Sequence, residues 1–202
     1  KIIARDRGLT VAAALMIKRG DRISADKIIK ILGLPIVIKP NQAGSSVGVS
    51  IAKNAKELKN GITAALKLDE EALLEQFISG RELTCAVFGN KTPQVLPVAE
   101  IIPKISGWFD YKAKYADQGS DEICPAHIPR SISQKIQQAS LAIFKALGCK
   151  DLARADFIWN QKDNKPYFLE INTIPGMTAQ SLAPKIAQAA GMVSAVCSTA
   201  HL

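Results

Sequence analysis

The sequence predicts a fold of the α/β or α+β class, because helix-like and strand-like segments alternate along its 202 residues. Apolar residues make up 48% of the chain, so a chain of this length can bury a sizeable core in one domain or two small ones. The longest uninterrupted apolar run, residues 11–17, is too short to cross a membrane, which takes about 20 residues. We therefore expect neither a membrane span nor a membrane partner.

The chain is basic, with a formal net charge of +8. Such a balance is compatible with nucleic acid, an anionic membrane or a phosphate-bearing ligand. The lysines are spread along the chain and aromatic residues make up 5%, so we expect no nucleic-acid partner of the kind that stacks bases on aromatic side chains. No pair of the four cysteines has metal-binding spacing and no signal peptide is visible, which predicts reduced thiols and a cytoplasmic location.

The first elements in chain order are a helix and a hairpin. Ser24 is a candidate N-cap for a helix that ends at Gly33. Residues 35–40 follow as a buried strand bounded by prolines. Residues 47–52 read as the next strand, so the polar loop 41–46 joins the two as a hairpin.

A second helix and a second hairpin follow. Asn54 and Glu57 predict a capping box at the start of the helix. Residues 73–78 read as a strand, and residues 82–88 and 94–102 read as a hairpin around a Gly-Asn turn.

The segment 103–130 reads as a long irregular loop, and loops of this length in a compact domain are usually functional or mobile. Ser131 or Ser133 is expected to cap the helix that follows. That helix has apolar residues at spacings of three and four, and Gly148 ends it. A helical tail is expected after the last two strands, as far as about Gly191.

The last two strands, 153–159 and 166–171, carry the most informative pattern. If their loop is centred near Asp163, strand alternation separates the side chains into two faces. The polar face carries Asp156 opposite Glu170 and Arg154 opposite Asn172. The other face carries the apolar residues Ala155, Phe157, Trp159, Tyr167, Leu169 and Ile171.

Two opposed carboxylates repel each other unless a cation lies between them. Two carboxylates and an amide oxygen are hard ligands that suit Mg²⁺, and Arg154 beside them is suited to stabilise a phosphoryl group or an oxyanion. Two other interpretations remain open from the residues alone. One is a solvated face with a cross-strand ion pair, and the other is a glycosidase-like acid and base pair. A slip of one residue in the register would destroy the arrangement.

The loop at residues 41–48 is the second candidate site. Backbone amides and hydroxyls in a Gly-Ser loop can cradle phosphates, and Lys39 places a cation at the end of the preceding strand. The loop joins two strands, so it matches neither the P-loop nor the dinucleotide fingerprint. A plain hairpin turn and a snorkelling strand-end lysine are the alternatives.

The loop at residues 110–115 and the two histidines complete the candidates. Lys114, flanked by tyrosines, is suited to close onto a substrate, or else belongs to a solvated run of charges. His127 and His201 have no Ser or Cys nucleophile context, so we interpret both as structural or exposed.

Eight motifs occur in the order Pro35–Pro40, Gly44–Gly48, Glu75–Glu82, Asp110–Tyr115, Cys124–Ala126, Gly148–Cys149, Arg154–Asp156 and Leu169–Met177. Together, over about 180 residues, they resemble the ATP-grasp part of D-alanine–D-alanine ligases. The resemblance implies an α+β fold of two subdomains, at residues 1–82 and 83–202, with ATP between antiparallel sheets under the Ser-Gly flap. It also implies two Mg²⁺ ions, for which Mn²⁺ is a possible substitute.

The resemblance also implies roles for matching residues. The residues implied at the phosphates are Lys1, Lys39, Ser45, Ser46 and Lys114. The rest of the cofactor-binding set is Glu75, Gln76 and Ile78 at the adenine, Glu82 at the ribose, and Ile158 and Phe168. The implied metal ligands are Asp156, Glu170 and Asn172.

For catalysis, the resemblance implies that Arg154 and the Gly176 amide stabilise an oxyanion, while Ser181 and Leu182 hold the carboxylate of the second D-alanine. Ser45, Lys114 and Tyr115 complete the implied catalytic set, with Tyr115 closing the loop through hydrogen bonds to Ser45. Tyrosine at 115, rather than phenylalanine, is typical of enzymes that form a dipeptide and not a D-lactate depsipeptide.

The implied activity is ligation of two D-alanines through an acyl phosphate, for peptidoglycan precursor synthesis. Set against the family's pattern, the sequence is expected to be without the N-terminal substrate domain and, from Met192, without the long last helix. We therefore expect a fragment with little ligase activity alone, from a full-length protein that forms a homodimer. The alternatives are another ATP-grasp carboxylate–amine ligase or a non-catalytic nucleotide-binding remnant.

Overall fold

The computed structural model describes residues 1–22, 24–44, 46–104, 120–178 and 180–192. Helices and two antiparallel sheets together confirm the α+β class. In chain order, the elements are α1 (Ile2–Asp6), β1 (Ala14–Lys18), α2 (Ala25–Leu32), β2 (Ile36–Pro40), β3 (Ser50–Ala52), α3 (Ala55–Leu68), β4 (Glu71–Gln76), β5 (Arg81–Phe88), β6 (Gln94–Pro103), β7 (Ser120–Ile123), α4 (Arg130–Ala146), β8 (Leu152–Asn160), β9 (Lys165–Asn172) and α5 (Leu182–Ala189).

The chain divides into two compact units. The four-stranded unit contains the described residues of 12–78, and the five-stranded unit contains those of 1–11, 79–104 and 120–192. Residues 1–11 and 79–82, which the expected boundary places with the first subdomain, therefore belong to the five-stranded unit. Residues 1–11 belong there because they pack on that unit. Leu9 is buried in its core, and the Thr10 carbonyl accepts a hydrogen bond from the Phe168 N–H.

The four-stranded unit has the strand order β1-β4-β2-β3, and every pair is antiparallel. Helices α2 and α3 pack Ile28 and Leu58 into the core under this sheet. Both predicted caps are confirmed, because Ser24 accepts from the Lys27 N–H at 3.2 Å and Asn54 accepts from the Glu57 N–H at 2.9 Å. These caps satisfy backbone donors that the first turn of each helix leaves open.

The hairpin of β2 and β3 is confirmed, but β3 is shorter than predicted. The sequence predicts a strand from residue 47, whereas residues 46–48 form a turn and β3 begins at Ser50. Gly48 explains the turn. Its φ of 73° is left-handed, and an added Cβ would lie 2.5 Å from Leu68 Cδ1. The glycine therefore permits both the backbone bend and the close packing on α3.

The five-stranded unit has the strand order β7-β6-β5-β8-β9, again with antiparallel pairs throughout. Helix α4 packs on one face of the sheet, where its residues join Leu83 and Cys85 of β5 in the core. Helix α5 packs against Ala86. Because adjacent residues of a strand point to opposite faces, α4 and α5 lie on opposite sides of the sheet. Part of the α5 face carries the polar residues of the candidate site.

Two predictions around α4 are wrong. The N-cap is Pro129 rather than Ser131 or Ser133, since the Pro129 carbonyl accepts from the N–H groups of Ile132 and Ser133 and starts the helix earlier. The segment predicted to be irregular contains β7, which pairs with the end of β6. The largely polar sequence Ser120–Ile123 lacks the apolar alternation typical of a strand, so the pattern of the sequence does not predict this strand.

Cys85 is expected to resist alkylation in the native protein. Burial raises the pKa of its thiol to about 12, so about one thiol in ten thousand is ionised at pH 8, and the thiolate is the reactive form. Cys124 and Cys149 are only partly buried and are expected to react first. Iodoacetamide labelling with peptide mass spectrometry, in native buffer and in urea, measures the difference. Rapid native labelling of Cys85 would contradict the packing of β5 against α4.

Candidate functional site

The predicted pairing of the last two strands is confirmed at the polar residues. Arg154 lies opposite Asn172, and Asp156 lies opposite Glu170. These four side chains therefore share one face of the five-stranded sheet. The fold thus brings these four predicted site residues together as two directly opposed pairs.

The predicted register is wrong beyond this point, because the ladder contains an irregularity next to Asp156. Phe157 pairs with Phe168 rather than with Leu169, and the two rings make an edge contact at 5.6 Å between centroids. Strict alternation would place Phe168 on the polar face with Glu170. Because of the irregularity, Phe168 is instead buried in the core on the α4 side. Tyr167 instead directs its hydroxyl to Asp163, as a donor at 2.6 Å.

Strand β5 adds residues to the same face. Glu82 pairs with Ile158, and Thr84 pairs with Asp156. Alternation along β5 puts Glu82 and Thr84 beside the carboxylates of the hairpin. The sequence predicted Glu82 and Ile158 as site residues, but it did not indicate Thr84.

Asp156 is buried and held by two neighbours. Arg154 forms a bidentate pair with it, from Nε to Oδ1 and from Nη2 to Oδ2, each at 2.9 Å. The Thr84 hydroxyl lies 2.6 Å from Oδ1. A bidentate arginine–carboxylate pair is among the stronger side-chain interactions.

Three carboxylates influence the guanidinium of Arg154. Burial works to lower its pKa, but the charge and the hydrogen bonds of Asp156, with further attraction from Glu170 and Glu82, outweigh burial and raise the pKa overall. Arg154 thus places a positive charge among the carboxylates of this acidic face.

The donor set fits a hard divalent cation. Asp156, Glu170 and Asn172 supply two carboxylates and an amide oxygen, which is the chemistry that Mg²⁺ and Mn²⁺ prefer. The Asn172 oxygen also accepts from the Ile174 N–H at 3.1 Å, which fixes its orientation. Over the described ranges there is no group of three His, Cys, Asp or Glu side chains that could hold a metal, so the amide is needed to complete the set.

The loop before α5 brings together Gly176, Thr178 and Ser181. Ser181 is the N-cap residue of α5, and its hydroxyl lies 2.9 Å from that of Thr178. A Cβ added to Gly176 would lie 2.8 Å from the Ser181 oxygen, so the glycine permits this close approach. Leu182, the first residue of α5, is buried. The predicted second-substrate residues are therefore close together, and Thr178 is a neighbour that the sequence did not indicate.

In the four-stranded unit, Lys39 forms an ion pair with Glu75, at 2.6 Å between Nζ and Oε2. Glu75 is buried and Lys39 is mostly covered. Gln76 ends β4 with an exposed side chain, and Ile78 follows it, half-buried. The lysine and the predicted adenine segment thus lie at neighbouring positions of one sheet.

The loop after Lys39 is anchored at its base. The Gln42 N–H donates to the Asp69 carboxylate at 2.6 Å, and this bond is the main reason that the pKa of Asp69 is lowered. Ser46 has a left-handed φ of 59° within the turn that follows. The loop therefore leaves β2 in a defined direction and returns as β3.

The remaining predicted residues are dispersed or not described. Lys1 directs its ammonium to the Phe168 carbonyl in the five-stranded unit, at 3.5 Å. Ser45, Lys114 and Tyr115 lie outside the described residues. Strand alternation places Thr84 on the same face as Glu82, which could have drawn attention to it. Nothing in the sequence indicated that Thr84 lies opposite Asp156.

Comparison with known proteins adds three findings. The family model "D-ala D-ala ligase C-terminus" matches residues 3–196. A D-alanine–D-alanine ligase from Clostridium botulinum (strain Eklund 17B) is 43% identical over 93% of this chain and 60% of its own length. One from Desulfotalea psychrophila is 46% identical over 91% of this chain and 58% of its own length. The chain thus spans about 60% of the curated relatives it matches.

Solved structures agree with these relatives. The VanG D-Ala:D-Ser ligase from Enterococcus faecalis superposes with a TM-score of 0.84 and 34% identity, over 98% of this chain and 59% of that one. A D-alanine–D-alanine ligase from Bacillus anthracis, complexed with ATP, gives 0.79 and 32%, over 98% of this chain and 61% of that one. None of the described helices is long and apolar enough to cross a membrane.

Proposed function

Because this chain belongs to the D-alanine–D-alanine ligase family, with the ATP-grasp fold, we propose that it is the ATP-binding part of an enzyme that joins two D-alanines through an acyl phosphate. The product is a precursor of peptidoglycan. The observation that carries the proposal is the acidic face of the five-stranded sheet, where Asp156 opposes Glu170 and Arg154 balances their charge. We propose a cytoplasmic location and, for the full-length protein, a homodimer.

The metal ligands in this proposal are Asp156, Glu170 and Asn172, for two Mg²⁺ ions or Mn²⁺ in their place. The metal would neutralise phosphate charge and so favour attack at the γ-phosphorus. Arg154 is positioned beside the carboxylates to stabilise negative charge on a transferring phosphoryl group.

Further ATP-binding residues are proposed in the four-stranded unit and elsewhere in the chain. Lys39 carries the positive charge for the α- and β-phosphates, and its ion pair with Glu75 holds the ammonium at the end of β2. The turn at Ser46 would cover the triphosphate, with Gln76 and Ile78 beside the adenine. Lys1, Ser45 and Lys114 are proposed at the phosphates and Glu82 at the ribose, and Ile158 is proposed as a further ATP-binding residue. Phe168 is left out because its side chain lies in the core.

The proposed reaction has two steps. A carboxylate oxygen of the first D-alanine attacks the γ-phosphorus, the bond to the β-phosphate oxygen breaks, and ADP leaves. The amine of the second D-alanine then attacks the acyl carbonyl, loses a proton and expels phosphate. Arg154 and the Gly176 N–H stabilise the oxyanion, Ser181 and Leu182 hold the second carboxylate, and Tyr115 closes the loop against water.

A D-serine acceptor is the second candidate, favoured by the similarity to the VanG D-Ala:D-Ser ligase. The two activities separate in a competition assay, in which the full-length enzyme receives D-alanine and D-serine together. The ratio of the dipeptide products identifies the acceptor. We expect the fragment alone to bind nucleotide without forming dipeptide.

Removing either proposed carboxylate ligand is expected to weaken Mg²⁺-dependent nucleotide binding. Calorimetric titration of this chain with a non-hydrolysable ATP analogue, with and without Mg²⁺, measures the effect. We expect Asp156→Asn and Glu170→Gln each to weaken binding by about 10-fold or more in Mg²⁺, since even outer-shell changes cost 10- to 100-fold in metal affinity.

Asp163→Asn is the matched control, because it makes the same chemical change in the loop of the same hairpin. It is expected to bind like the unchanged chain. Equal Mg²⁺-dependent binding by all three variants would place the metal elsewhere and overturn the assignment. A folded circular dichroism spectrum without any nucleotide binding would count against the whole site.

A further inference from the structure

Thr84 is a polar side chain that contacts the site and that no motif includes. It is fully buried in β5, directly opposite Asp156. Its hydroxyl lies 2.6 Å from Asp156 Oδ1 and 3.2 Å from the Ala155 carbonyl oxygen. One hydroxyl hydrogen can serve one of these acceptors fully, and the shorter, charge-assisted contact is the stronger. Thr84 therefore donates to the carboxylate.

The two oxygens of Asp156 are held unequally. Oδ1 accepts from both Thr84 and Arg154 Nε, whereas Oδ2 accepts from Arg154 Nη2. In the described parts of the chain, no second donor to Oδ2 is found. Thr84 is fixed by the strand pairing, while Arg154 is a long side chain that is 17% exposed. Oδ1 is thus anchored to the sheet, and Oδ2 is the oxygen available to a new partner.

We propose that Thr84 is a positioning residue for the metal site. Its hydroxyl anchors Oδ1 of Asp156, so that Oδ2 is presented to the divalent cation when Arg154 Nη2 moves away. The inference rests on the proposed function, in which Asp156 is a metal ligand. It explains why a polar residue occupies the interior of a strand whose neighbours Leu83 and Cys85 are core residues.

Mn²⁺ titration of the full chain, followed by electron paramagnetic resonance of the free ion, tests this inference without any activity assay. Thr84→Val keeps the shape and removes the hydroxyl, whereas Thr84→Ser keeps the hydroxyl. We expect Thr84→Val to weaken Mn²⁺ binding by about 10-fold and Thr84→Ser to restore it to within a few-fold of the unchanged chain. Thermal unfolding by circular dichroism confirms that each variant is folded at the titration temperature.

Asp156→Asn separates the failure of this inference from the failure of the proposed function. If Asp156→Asn abolishes Mn²⁺ binding and folded Thr84→Val binds normally, the positioning role is overturned and the metal site stands. If the unchanged chain does not bind Mn²⁺, or Asp156→Asn binds equally well, the metal site itself is overturned and the inference with it. If Thr84→Val fails to fold, Thr84→Ser alone decides, because serine keeps the hydroxyl and lacks only a methyl group. Weak Mn²⁺ binding by Thr84→Ser would then overturn the role of the hydroxyl as the anchor.

Discussion

Arg154→Gln is expected to destabilise the metal-free chain by about 3 kcal/mol or more, because it leaves the Asp156 carboxylate buried without its cation. Glu170 and Glu82 add repulsion that Arg154 offsets in the unchanged chain. Urea unfolding monitored by circular dichroism, in buffer with a chelator, measures the free energy of unfolding.

The double variant Arg154→Gln/Asp156→Asn is the control. It removes the charge that Arg154 balances, so it is expected to recover most of the lost stability. Mg²⁺ is expected to stabilise Arg154→Gln more than it stabilises the unchanged chain, since the cation would replace the guanidinium beside Asp156. If Arg154→Gln is as stable as the double variant, the buried Asp156 charge costs little without Arg154, and the stated reason for the destabilisation is wrong.

This pair has a consequence for the proposed chemistry. Both oxygens of Asp156 are engaged by Arg154 in the structure. A metal that binds Asp156 would compete with at least one of these bonds and leave part of the guanidinium available for substrate. The same arginine can therefore balance the carboxylates before a metal binds and stabilise negative charge on the substrate afterwards.

The sequence predicted the polar pairs of the last hairpin because alternation and a short loop determine the register there. It failed from Phe157 onward because the irregularity in the ladder leaves no mark in the pattern of apolar residues. Phe168, Tyr167 and Leu169 are all hydrophobic or aromatic, so a shift of one residue leaves the pattern equally plausible. The register beyond the irregularity was therefore decided by packing against α4, which the pattern does not contain.

Local rules succeeded where a few neighbouring residues decide the outcome, as in the caps at Ser24 and Asn54. They failed at the start of α4, where the N-cap is Pro129 and no capping side chain makes a hydrogen bond that the sequence could have indicated. Thr84 was missed for a different reason, since its partner is 72 positions away in sequence and only the pairing of β5 with β8 brings them together. Distant pairing of this kind cannot be deduced from spacing along one chain.

Gly80→Ala is expected to destabilise the five-stranded unit by about 3 kcal/mol, because its Cβ has no space. The added atom would lie 2.2 Å from the Trp159 carbonyl oxygen and 2.7 Å from its carbonyl carbon. Both are backbone atoms of β8, so neither can move aside as the end of a side chain would. Either β8 or the start of β5 must shift. Urea unfolding measures the loss in the free energy of unfolding.

The matched control is Gly44→Ala, where a Cβ would meet no atom of the described residues within 4 Å and φ is not left-handed. It is expected to leave stability unchanged or raise it by about 0.4–1 kcal/mol, through the lower entropy of the unfolded chain. Because the added Cβ would also lie 2.8 Å from Ile158 Cγ2, and Gly80 precedes Glu82 by two residues, the alanine variant should weaken nucleotide binding as well. A Gly80→Ala chain as stable as Gly44→Ala would mean that β8 is free to move at Trp159, and the position of Ile158 in the proposed site would then be wrong.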